Sequence, residues 1–255
     1  MIYIKHTIDE KTIAKYLVPN NKEREGATIA KSKINLLFAN KAVDIHKTYG
    51  EVLAVYLDGL ECRTTRCILD TGLSGINCIP VNDNATICDA LNQLVPWSML
   101  GSFNSAIGSL PTYMVLLPLL VWYDSCQTII GDSKNCTPIE DVGKLLDKVG
   151  KDFTFAITFS SRAANIVDDY TKKKLNGVIT TKRDLENRFI QMATRRISKK
   201  KTRIPKEDRG MNRAQQMLIL ENAFKEHGFK YDDSKKIVIV YPRMTFMMVD
   251  LIKVN

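Results

Sequence analysis

At 255 residues, 45% apolar and 25% charged, the chain can bury a sizeable core, and its composition excludes wholesale disorder. The net charge of +9 favours a polyanionic partner, nucleic acid first, and says nothing about fold. Cysteines at 62, 67, 78, 88, 126 and 136 form no CxxC pair, and His6, His46 and His227 make no ligand pattern, which argues against a structural metal site.

The opening MIYIKHTIDEKTIAK lacks a signal-peptide core, and the most apolar stretch, 113–123, is too short for a membrane span and contains Pro118. A reducing, cytoplasmic setting with free thiols and no membrane is therefore expected. Residues 1–30 read as a lead-in with a turn near Pro19–Gly26. From Ser32, apolar residues at 34, 37, 38 and 42 have helical spacing. VLAVYL, from Val52, is an apolar run of strand length, of the kind a parallel strand buried on both faces shows.

A helix is predicted over 63–73, closed by Gly72 and Gly75, then a strand over 76–81 and a second helix over about 85–95. WSML offers a short strand near Met99, and 113–123 another, starting irregularly or only at Leu119 because of Pro118. A helix with Pro138 in its first turn covers 138–150, followed by a strand at 152–159 and helical signals at 183–196 and 211–227. KKIVIVYP and MTFMMVDLIKV close the chain as an antiparallel hairpin, since two parallel neighbours would need a crossover between them. The sum is an α/β fold: a mostly parallel, Rossmann-like sheet with helices on both faces and a C-terminal antiparallel hairpin, in one domain over 31–255.

In such sheets ligands sit beyond the carboxyl ends of the strands, near the point where strand order reverses. Three polar strand ends fall there: Asp58, Asn82–Asp83 and Asp124. The five parallel strands and terminal hairpin resemble the class I S-adenosylmethionine-dependent methyltransferases. Family members usually carry an acidic residue and several glycines after the first strand. This chain keeps Asp58 and Gly59 but has Leu60, Cys62 and Thr64 where those glycines fall. DGLECRTTR also resembles, more loosely, the D-A-L-S-A-T/S-G-L-R loop of the tRNA N2-guanine dimethyltransferases, at Asp58, Leu60 and Arg66. Asn82–Asp83 matches that branch's Asn-Asp after the second strand. WYDSCQ keeps the Asp of its D-P-Y-G loop and departs elsewhere.

The resemblance implies S-adenosyl-L-methionine as cofactor, held by Asp58, Gly59, Leu60, Cys62, Thr64, Asn82 and Asp83, with Asp83 on the ribose. The competing role for Asp58 is to cap the following helix, and NDNAT likewise reads as a helix cap. Asp124 and Ser125 lie where the family places its acceptor loop, and an Asp there can accept the protons of a base amine. Ser125–Cys126–Gln127 is similar to the P-C-Q loop of the cytosine-C5 enzymes, so Cys126 is either a nucleophile or a packing residue. Ser160, Ser161 and Arg162 are either pocket or loop residues.

Residues 182–209 hold eleven Lys or Arg against four acids, a local charge of +7. Within this basic insertion Arg195, Arg196, Lys199, Lys200, Lys201, Arg203 and Lys206 suit backbone phosphates, and few aromatics interleave for base stacking. A solvated charged face is the plainer reading. The expectation is a methyltransferase acting on RNA more than DNA, at a base amine. The alternative is an inactive, methyltransferase-like nucleic-acid-binding protein.

Overall fold

A computed structural model describes residues 25–125, 127–129, 138–160, 216–217, 219–241 and 244–254. Helix α1 (Glu25–Tyr49) leads into strand β1 (Leu53–Leu57). Then follow α2 (Arg63–Leu69), β2 (Cys78–Asn82), α3 (Ala85–Leu91) and β3 (Met99–Leu100). Two short helices, α4 (Phe103–Ser109) and α5 (Thr112–Val115), precede β4 (Leu119–Asp124). The second half has α6 (Pro138–Val149), β5 (Phe153–Ser160), β6 (Phe229–Lys230), β7 (Ile237–Tyr241) and β8 (Met244–Lys253). A further helical stretch, described over 219–226, precedes β6.

The strands join in the order β3-β2-β1-β4-β5-β8, with β7 and β6 both paired to β8. Strands β1 to β5 are parallel, and β8 runs antiparallel to β5 and to β7. Both faces are covered, which is why β1 reads as an unbroken apolar run. Val55 packs with Val121, Phe155 and Leu146 on one face, while Ala54 and Tyr56 meet Phe38 and Ile68 on the other. Phe38 of α1 lies 5.3 Å from Trp122 and 5.7 Å from Tyr56, ring centre to ring centre, and this cluster clamps α1 to the sheet. Burying one such ring contributes about 1.5–3 kcal/mol.

Several boundaries differ from the sequence reading. Helix α1 begins at Glu25 and carries Gly26 inside it, so no turn lies at Gly26, and residues 25–30 are helix rather than lead-in. Packing on the sheet outweighs the local cost of a glycine in its first turn. Residues Gly75–Asn77 form a 3-10 turn, and β2 starts only at Cys78. Helix α3 stops at Leu91 because Ser98 N–H is drawn to Asn92 Oδ1, at 3.0 Å, as the chain turns toward β3. Residues 112–115 are helical, and β4 starts after Pro118, whose carbonyl accepts Leu53 N–H at 2.8 Å. Helix α4 and strand β6 were not foreseen. The helical signal at 183–196, and all of residues 161–215, lie outside the described residues.

Candidate functional site

Strand order reverses between β1 and β4; Asp58 directly follows β1, and Asp124 ends β4. A cavity of about 220 Å³ opens at that point, lined by Asp58, Gly59, Glu61, Arg63, Thr64 and Asp124 among others. Lys31 and Asn35 of α1 close one side, and Trp122 and Tyr241 close another.

Asp58 organises the loop after β1. Its Oδ1 accepts Gly59 N–H at 2.9 Å, and its Oδ2 accepts Thr65 N–H at 2.9 Å and the Thr65 hydroxyl at 2.8 Å. Thr65 Oγ1 lies 2.9 Å from the Tyr56 hydroxyl, extending the network into the core. The carboxylate therefore does cap α2, though from four residues before its N-cap position, Cys62. Burial pushes the Asp58 carboxyl above its usual range, while the Thr65 and Gly59 donors pull it back.

Cys62 adopts a left-handed conformation, φ 51°, and is the one non-glycine residue to do so among the described residues. This is the backbone position for which a glycine is suited. Its thiol points inward, 3.5 Å from the Leu60 carbonyl, and is buried, so it does not line the cavity. Leu60 projects into solvent and is also absent from the lining. Thr64 does face the cavity, with its hydroxyl 3.2 Å from Asn35 Oδ1.

The end of β2 is tied to this loop. Asn82 Nδ2–H donates to the Asp58 carbonyl at 2.7 Å, and Asn82 Oδ1 accepts Asn84 N–H at 2.8 Å. Asn84 caps α3 through Thr86 and Ile87 N–H, the job the sequence assigned to the NDN cluster as a whole. That leaves Asp83 exposed at the strand end, outside the cavity lining. Asp124 lines the cavity floor. The Ser125 hydroxyl donates to the Thr158 carbonyl at 2.9 Å, so its proton pins the β4 end to β5. Cys126, Ser161, Arg162 and the basic residues from Arg195 to Lys206 lie outside the described residues.

Lys31, Asn35, Arg63, Trp122 and Tyr241 escaped the sequence reading. Their available signal was slight: Asn35 is a polar position inside the apolar part of α1, four residues after Lys31 and so on the same helix face. Tyr241 reaches the cavity only because β7 runs parallel to β5 and ends on the same side.

Five parallel strands in the order 3-2-1-4-5, completed by an antiparallel hairpin, give this chain the class I methyltransferase-like fold anticipated above. No family model matches the chain, and no curated protein matches it. Similar solved structures include magnesium protoporphyrin IX methyltransferase from Synechocystis with bound S-adenosylhomocysteine, at 7% identity and TM-score 0.44, covering 95% of this chain and 93% of that one. The plantazolicin methyltransferase is 11% identical with TM-score 0.46, covering 96% and 90%. A 16S rRNA adenine-N1 methyltransferase from Catenulisporales acidiphilia is 10% identical with TM-score 0.39, covering 85% and 91%.

Proposed function

We propose that this chain is an S-adenosyl-L-methionine-dependent methyltransferase acting on a nucleic acid, RNA before DNA, at a base amine. The observation that carries this reading is the cavity at the β1–β4 switch point, where carboxylates and cations converge. Glu61 and Asp124 line it together with Lys31 and Arg63, acceptors and donors suited to the two charged ends of an amino acid. The methionine portion would lie in this cavity and the adenosine extend over the end of β2, where the exposed Asp83 would accept ribose hydroxyls.

The cofactor, when bound, supplies an electrophilic methyl group. The chain's own contribution is positioning: Asp124 would accept a hydrogen bond from the amine N–H, which orients the nitrogen lone pair, and would take that proton only as the nitrogen gains positive charge. Ser125 acts on this geometry through the β4–β5 contact rather than by touching the acceptor. The basic segment, Arg195, Arg196, Lys199, Lys200, Lys201, Arg203 and Lys206, would hold phosphates while the cavity selects the base.

The test is thermal unfolding with S-adenosylmethionine and S-adenosylhomocysteine. At ligand about 100-fold above its dissociation constant, stabilisation is about 2.7 kcal/mol. Asp83→Ala should abolish that shift and leave the ligand-free melting temperature unchanged, since its side chain is exposed. No shift at millimolar ligand would sink the enzyme reading.

A second reading, a nucleic-acid-binding protein without catalysis, draws support from one feature. Both Asp58 oxygens are committed to the loop, and the cavity is smaller than the ~300 Å³ at which ligand pockets usually begin. It predicts salt-sensitive nucleic-acid binding with neither ligand shifting the melting temperature.

A further inference from the structure

Asn35 interrupts the buried face of α1, between Ile34 and the pair Leu36 and Leu37, and is itself only 5% exposed. Its Oδ1 accepts the Thr64 hydroxyl at 3.2 Å, across the contact between α1 and α2. Its Nδ2, which carries two N–H donors, has no partner among the described residues. A buried amide without its hydrogen bonds opposes folding, and an alanine at this position would carry no such cost. The nitrogen is not sealed from solvent either, and the opening it reaches is the cavity at the strand-order switch, which Asn35 lines.

The surroundings limit what this donor can meet. Lys31 stands four residues earlier on the same face of α1, and Arg63 begins α2; both line the cavity with Asn35. Donors and positive charge therefore gather where α1 meets the start of α2. Glu61 and Asp124 share the cavity, while both oxygens of Asp58 are held by Gly59 and Thr65. A dianionic phosphate would set its second charge against Glu61 and Asp124. An amino-acid end carries one carboxylate and one ammonium, and so suits both sets of groups.

We propose that Asn35 reads the carboxylate of the ligand's amino-acid end, donating through Nδ2, and that Thr64 is its positioning residue. This role rests on the cofactor reading above and makes the carboxylate the group by which α1 selects that ligand. By donating to Oδ1, the Thr64 hydroxyl fixes which way the amide faces and leaves the nitrogen turned to the cavity. A nucleoside that lacks the carboxylate loses this contact.

Calorimetric titration of the full chain tests this with two ligands that differ only in that group, S-adenosylhomocysteine and its decarboxylated amine. Wild type should bind the first more tightly. Asn35→Asp keeps an oxygen for Thr64 and removes the donor, so it should weaken S-adenosylhomocysteine by about 10- to 100-fold. The amine should bind this variant no more weakly than wild type, which also reports that the site is intact. Asn35→Ala removes the amide without adding a charge; it should show the same selective loss and carries the test if Asn35→Asp fails to fold. Thr64→Val should shrink the preference for the carboxylate and Thr64→Ser should restore it, a pattern that general loosening of the loop would not give. Wild type that binds both ligands equally, or folded Asn35 variants that lose both equally or neither, overturns the proposal and leaves the cofactor reading standing. Wild type that binds neither ligand overturns the cofactor reading and this proposal with it.

Discussion

Cys62 allows a direct test of how a glycine-poor loop keeps its shape. Its φ of 51° lies in the left-handed region, where a side chain costs roughly 1–2 kcal/mol. Comparing wild type with Cys62→Gly would mix that relief with loss of a buried thiol. Comparing Cys62→Ala with Cys62→Gly removes the sulfur from both and isolates one methyl group. At a right-handed position alanine is the more stable, by about 0.4–1 kcal/mol, because glycine loses more freedom on folding. At Cys62 the left-handed penalty opposes and exceeds that term, so the glycine variant should be the more stable by up to about 1.6 kcal/mol. Urea unfolding reads this as a higher midpoint for the glycine variant at an unchanged m-value. An alanine variant as stable as the glycine variant, or more so, would refute the left-handed geometry and with it the account of the loop.

Asp58→Asn should destabilise by about 1–3 kcal/mol at neutral pH, because the amide offers one acceptor oxygen and turns its own donors toward Thr65 or Gly59 N–H. The folded Asp58 carboxyl holds its proton to higher pH than the unfolded chain does, so the stability this titration contributes is greatest below pH 3.8 and falls as pH rises through the folded value. The wild-type advantage over Asp58→Asn should therefore shrink as pH rises from 3.8, and a growing advantage would contradict the raised value. Cys62, Cys67, Cys78 and Cys88 are buried, with the Cys78 thiol pushed up to about 11 by burial. A thiol-titrating disulfide at pH 8 should modify none of these four until urea unfolds the chain, as peptide mapping would show. Replacing Lys199, Lys200 and Lys201 with alanine should lower the slope of log K against log salt for nucleic acid by about 2–3. An unchanged slope would place the phosphate contacts elsewhere.

The sequence alone determined the alternation of strands and helices, the buried parallel strands and the antiparallel close. Each of these rests on local periodicity: the unbroken run at β1, the helical spacing of 142, 145, 146 and 149, and two strands too closely joined for a crossover. It also located the acidic strand ends, because Asp58 and Asp124 each stop an apolar run. Only the tertiary structure decided what those residues do. Whether Asp58 faces a ligand or its own helix depends on where Thr65 lies after a turn, and that turn works because Cys62 accepts a left-handed backbone. Lys31 and Asn35 of α1, Trp122 of β4 and Tyr241 of β7 reach the cavity from three separate elements, far apart in the chain. No spacing rule links them. They meet because the order β1-β4-β5-β8-β7 and the packing of Phe38 against Trp122 bring α1 and the end of β7 to one side of the sheet.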